Sequence, residues 1–109
     1  MQNNRNIIIE ANIHAREWIS HATTTWIINE LLTSTNSTVQ NMANTINWYI
    51  IPMMNPDGFE FSRTNNRNWR KNRAVASALC FGVDGNRNFA YNWLVRVSKI
   101  KLGPNLKFN

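Results

Sequence analysis

The sequence contains one cysteine, Cys80, which excludes a disulfide framework closed within the chain. No apolar run approaches the roughly 20 residues of a membrane-spanning helix; the longest, Trp48 to Met54, has the length of a strand and contains a proline. The opening residues, Met1-Gln-Asn-Asn-Arg-Asn, lack the apolar stretch of about 7–15 residues that a secretion signal needs. Acidic residues are scarce and unevenly placed. Ten of the twelve lysines and arginines lie beyond position 60, with only Glu60 and Asp84 against them from there on. The net charge of +6 suits either a nucleic-acid surface or a pocket for anionic substrate groups, and charge alone does not choose. No internal repeat is present. With 109 residues, 43% of them hydrophobic and 17% charged, the chain reads as one globular domain or a piece of one.

Asn6 to Ala11 carries three consecutive isoleucines and reads as a strand buried on both faces, as in a mostly parallel sheet. Arg16 to Leu32 turns helical: Trp18, Ala22 and Trp26 recur at i+4, and Ile19, Ile27, Ile28, Leu31 and Leu32 widen the apolar face. Glu17 falls in the first turn, where the helix dipole favours an acid. Thr33 to Val39 reads as a polar loop containing the glycosylation sequon Asn36-Ser37-Thr38, which by itself says little about secretion. Thr45 to Met54 reads as a second strand, stopped by a turn at Asn55-Pro56-Asp57-Gly58. Strand, helix, strand is the order of an α/β domain. Phe59 to Trp93 has no clean period, and so long an irregular stretch in a compact domain marks a functional excursion. The 19 asparagines are scattered and are assigned no function. Two strands cannot cover their own edges and faces, so the expected sheet extends beyond this unit.

Three constellations carry chemistry. His14-Ala15-Arg16-Glu17 follows the first strand, at the carboxyl end where α/β sites form. A histidine and a glutamate three residues apart can share one metal through a nitrogen and an oxygen. A histidine that merely caps or packs is the commoner explanation of that spacing. His21 could extend the set along a helix, but His14 precedes the first regular turn and would not share its face. Asn66 to Arg73 interleaves arginines with Trp69, as a nucleic-acid grip would, or aims one arginine into a pocket while the rest face water. Asp84-Gly85-Asn86-Arg87 sets an amide beside a guanidinium suited to a carboxylate. Trp18 and Trp26 read as core, Asp57 as a turn former, and Arg63, Lys71 and Arg73 as solvated or structural.

The strings I-H-A-R-E-W-I-S, N-P-D-G-F, R-N-W-R-K-N-R and C-F-G-V-D-G-N-R-N-F, in that order, resemble the zinc carboxypeptidases of the pancreatic and digestive A/B type from about Ile7 to about Trp93. The resemblance implies part of an α/β catalytic domain with a mixed, mostly parallel sheet and flanking helices. It implies hydrolysis of C-terminal residues from peptides and one zinc ion, Zn2+. His14 and Glu17 match two of its three protein ligands, and Asp84 matches the carboxylate that orients the zinc histidine. Arg16 matches a substrate-binding residue. Arg70 matches the catalytic arginine that polarises the scissile carbonyl. Asn86 and Arg87 match the clamp on the terminal carboxylate. The implied partners are peptide or protein C-termini rather than nucleic acid or membrane, and the implied location is extracellular. Oligomeric state and the preference for basic or apolar end residues stay open.

The sequence also departs from that pattern. The family's third zinc ligand is a downstream histidine and its general base a late glutamate, yet no histidine follows His21 and no acid follows Asp84. Cys80 matches a half-cystine whose partner is missing. The expectation is a truncated catalytic domain over residues 1–93, a divergent tail over 94–109, and no peptidase activity from this chain alone. The competing readings are a non-catalytic peptide-binding remnant and a basic nucleic-acid module.

Overall fold

The structure, a computed structural model, describes residues 5–77 and 79–89. The proposed tail over 94–109 lies outside the described residues. Strand β1 (Arg5–Glu10) pairs in parallel with β2 (Ile46–Ile51), with Ile7 opposite Trp48 and Ile9 opposite Ile50. The crossover between them is α1 (Trp18–Thr33) followed by α2 (Ser37–Thr45). Beyond β2 come α3 (Pro56–Thr64), a short antiparallel hairpin of β3 (Val75–Ser77) and β4 (Cys80–Phe81), and a 3-10 turn at Gly85–Arg87. This is an α/β arrangement with a parallel pair at its centre, as the strand–helix–strand pattern predicts.

The isoleucine run forms a strand because branching at Cβ restricts χ1 and suits a pleated surface. It is not buried on both faces. Ile7, Ile9, Trp48 and Ile50 are half-buried on the face that meets the helices, while Ile8, Tyr49 and Ile51 on the other face are exposed, Ile8 by 69%. An apolar run shows that a strand can be covered twice; among the described residues only one cover is present.

Three further expectations change. The polar stretch after α1 is a loop only over 34–36, because Asn36 caps α2: its Oδ1 accepts the Thr38 N–H at 2.9 Å. Asn-Pro-Asp-Gly begins a helix rather than a turn, with Asn55 as N-cap, Pro56 in the first turn and Asp57 beside it. Part of the stretch that showed no period, Phe59 to Thr64, is therefore helical. In α1 the row of Trp18, Ala22 and Trp26 is not a buried stripe: Trp18 packs on Phe59, whereas Trp26 is 61% exposed.

The most enclosed part of the molecule is polar. Ala11 and Ala15 are the buried apolar residues among those described; Asn12, His14, Thr24, Asn55 and Ser62 are buried with them. The packing is tightest around the loop that joins β1 to α1.

Candidate active site

That loop begins with Asn12 at φ 56°, a left-handed conformation that asparagine tolerates better than most residues. Its backbone N–H donates to Ser20 Oγ at 3.0 Å, and its side-chain amide lies 3.3 and 3.4 Å from the carbonyls of His14 and Glu17. Ser20 Oγ donates in turn to the Glu17 carbonyl at 2.7 Å. From α3, buried Ser62 accepts the Trp18 indole N–H at 2.9 Å, and its hydroxyl lies 3.2 Å from the Ala15 carbonyl. Ala15 N–H donates to the Arg70 carbonyl at 3.0 Å, which ties this loop to the segment before the hairpin. The backbone from 12 to 17 is therefore fixed from three sides before any side-chain chemistry is considered.

On this frame four ionisable side chains meet. His14 is buried, with Nδ1 3.0 Å from Glu17 Oε1 and Nε2 3.2 Å from Asp84 Oδ1. Arg70 Nε donates to Asp84 Oδ2 at 2.9 Å, and its Nη1 lies 3.8 Å from Glu17 Oε1. Glu17 does not sit in the first turn of α1. It is the N-cap residue and makes no capping bond; its carboxylate is turned toward His14 and Arg70. Burial pushes the Asp84 carboxyl up, but the Arg70 guanidinium and then His14 outweigh this and hold it below the usual carboxylate value.

The quartet is one positive charge short. A neutral imidazole has one N–H, yet both ring nitrogens of His14 face carboxylate oxygens. Two carboxylates against one guanidinium leave a net −1, which a second proton on the ring or a metal cation would balance. The donor chemistry fits zinc: His14 Nδ1 and Glu17 Oε1, 3.0 Å apart, can both lie about 2.0–2.2 Å from one ion. Among the described residues no group of three His, Cys, Asp or Glu forms a metal cage, so the pair is a partial set. His21 adds nothing to it: its ring packs edge-on against Phe59 at 4.7 Å.

Asp84 also caps the 3-10 turn, accepting the Asn86 N–H at 3.0 Å, and so joins Asn86 and Arg87 to the quartet through the backbone. Both are exposed, and Arg87 Nη1 donates to the Asn86 carbonyl at 2.9 Å. Arg16 is exposed as well, and its carbonyl accepts from Arg67. The other arginines of the basic stretch are engaged within the molecule. Arg63 pairs with Glu60, Arg67 lies 4.0 Å over the Trp18 ring, and Arg73 lies 3.8 Å over Phe61 and 4.9 Å over Trp69. Cys80 is a free, exposed thiol.

Sequence reasoning passed over Asn12 and Ser62, and read Asn55 and Asn72 only as parts of a turn and of a basic stretch. Asn72 Oδ1 accepts from Val83 and Ala74, closing the hairpin. Asparagine is so frequent in this chain that a structural one does not stand out, and a single serine carries no signal of its own.

The sequence profile of the zinc carboxypeptidase family matches residues 1–105. A zinc carboxypeptidase of Simulium vittatum is 52% identical over 89 residues, covering 81% of this chain and 29% of the relative. Zinc carboxypeptidase A 1 of Drosophila melanogaster is 48% identical over 87 residues, covering 80% and 20%. Among solved structures, carboxypeptidase A from Helicoverpa armigera superposes with a TM-score of 0.77 at 37% identity, covering 85% of this chain and 23% of that one. Thrombin-activatable fibrinolysis inhibitor gives a TM-score of 0.79 at 34% identity, covering 86% and 24%. The chain belongs to the zinc carboxypeptidase family. It spans less than a third of the length of these relatives.

Proposed function

We propose that the chain carries the first half of a carboxypeptidase site that releases C-terminal residues from extracellular peptides and proteins. The observation that carries this reading is the quartet: His14 held between Glu17 and Asp84, with Arg70 reaching both acids. His14 Nδ1 and Glu17 Oε1 would hold a zinc ion between them. Asp84, on the far side of the ring, holds the imidazole through Nε2, the support a metal-binding histidine requires, and would leave Nδ1 to the ion. Zinc, when bound, supplies Lewis-acid polarisation. Arg70 offers N–H donors beside Glu17, where they would stabilise a tetrahedral oxyanion. Asn86 and Arg87, on the turn capped by Asp84, take the substrate's terminal carboxylate, Arg87 by a bidentate grip. Arg16 contacts the peptide from the adjoining loop.

The arginines argue against a nucleic-acid module, since Arg63, Arg67, Arg70 and Arg73 already have partners within the molecule. Within these 109 residues there is neither a third histidine nor an acid after Asp84 to act as general base. We therefore expect this chain, taken alone, to bind carboxylate-terminated peptides without cleaving them. The test is binding and turnover of an N-blocked dipeptide in the presence of zinc, with the C-terminal amide as control. Binding of the free acid only, lost in Arg87→Ala, is expected. Equal binding of acid and amide refutes the clamp; turnover abolished by a chelator and by Glu17→Ala refutes the inactivity.

A further inference from the structure

We propose that Asn55 is a positioning residue for this site: its buried side-chain amide sets the spacing between the His14/Glu17 pair and Arg70. The inference rests on reading those three residues as parts of one hydrolytic centre. Asn55 Nδ2 donates to the Ile13 carbonyl at 3.2 Å and to the Lys71 carbonyl at 3.1 Å. Ile13 immediately precedes His14, and Lys71 immediately follows Arg70. The same side chain accepts the Gly58 N–H through Oδ1 at 3.0 Å, so both its N–H groups and its oxygen are committed. With the Ala15 N–H bonded to the Arg70 carbonyl, the result is a closed ring: Asn55, Ile13 to Ala15, Arg70 and Lys71. Ile13 is 42 residues from Asn55 in sequence and Lys71 is 16, so one amide adds, beside the Ala15–Arg70 bond, a second tie between two segments far apart in the chain.

Gly58 is an independent sign of the same device. A Cβ there would lie 2.5 Å from both Asn55 side-chain polar atoms and 2.6 Å from the Lys71 carbonyl oxygen. The helix that Asn55 caps thus leaves space for the clamp at its own first turn. Serine at 55 separates the two duties. Its oxygen can still cap α3 through the Gly58 N–H, but it has no amide with which to hold both carbonyls.

The experiment uses the 109-residue chain labelled with 15N at arginine and histidine, with and without Zn2+, in the forms Asn55→Ser and Gly58→Ala beside the unaltered sequence. Both variants are expected to keep near-native helical circular dichroism. In each, the Arg70 Nε–H that donates to Asp84 should exchange with water at least about tenfold faster, and the His14 ring signals should shift. Zinc affinity should fall by about 10–100-fold, the usual cost of removing the support of a metal ligand. A loss of global stability with Arg70 exchange, His14 shifts and zinc affinity unchanged in the folded protein overturns the proposal. If Asn55→Ser unfolds, Gly58→Ala, which keeps the amide and displaces it, decides by the same readings. If zinc leaves the His14 signals of the unaltered chain unmoved while the variants still release Arg70, the clamp stands and the zinc reading falls.

Discussion

Replacing Asp84 by asparagine tests the quartet with little change of shape. The carboxylate accepts from Arg70 Nε at 2.9 Å, faces His14 Nε2 at 3.2 Å and caps the Asn86 N–H at 3.0 Å. An amide oxygen can keep the cap or the histidine contact, but the charge that pairs with Arg70 is lost. A hydrogen bond to a charged group contributes roughly 1.5–3 kcal/mol. Arg70 and Asp84 are 29% and 21% exposed, which lowers that figure for the pair, and the histidine contact adds some of it back. We expect Asp84→Asn to cost about 2 kcal/mol, measured by urea unfolding followed by tryptophan fluorescence in the presence of a chelator. The cost should depend on pH. The folded state holds Asp84 below its unfolded pKa of about 3.9, so its contribution is complete above that value and disappears as pH falls through the lower folded value. A difference under about 0.5 kcal/mol at pH 7, or one that persists unchanged at pH 2, refutes the reasoning.

Other perturbations follow from single contacts. Gly82→Ala should destabilise the chain by about 1–3 kcal/mol, since φ is 83° there and an added Cβ would meet the Asn72 carbonyl oxygen at 2.4 Å; a thermal melt within a degree of the parent contradicts this. Arg73→Met keeps the length of the side chain but removes the charge over Phe61 and Trp69, and should cost about 1 kcal/mol in the same melt. Asn36→Ala should lower stability by about 1 kcal/mol and Asn36→Ser by almost nothing, because only the first removes the cap on α2. Arg63→Ala, which breaks an exposed pair, should stay within about 0.5 kcal/mol.

The parallel strand pair was readable because a run of β-branched residues carries its own signal; the helical crossover was readable from apolar spacing, though the row that marked it, Trp18, Ala22 and Trp26, is not the buried face. The starts of α2 and α3 were not readable. An asparagine that caps a helix and one that forms a turn use the same side chain on the same backbone groups, so Thr-Asn-Ser-Thr and Asn-Pro-Asp-Gly read as loop and turn. The half-covered sheet follows from the same reading: the isoleucine run reports what a strand could bury, and two strands alone leave Ile8, Tyr49 and Ile51 without a cover. His14 and Glu17 are close enough in sequence to suggest a shared ligand, but Asp84 lies 70 residues from His14 and only the ordered motifs linked the two. Asn12 and Ser62 lay in no such motif, and Asn55 and Asn72, though inside two of them, carried no sign of the bonds they make in the packed structure.

Titration of the 109-residue chain with Zn2+, followed by calorimetry, addresses most directly whether His14 and Glu17 share one cation. One equivalent should bind, with binding lost in His14→Ala and Glu17→Gln and kept in His21→Ala. Saturable binding that survives Glu17→Gln, or none at all by a folded chain, would contradict the account.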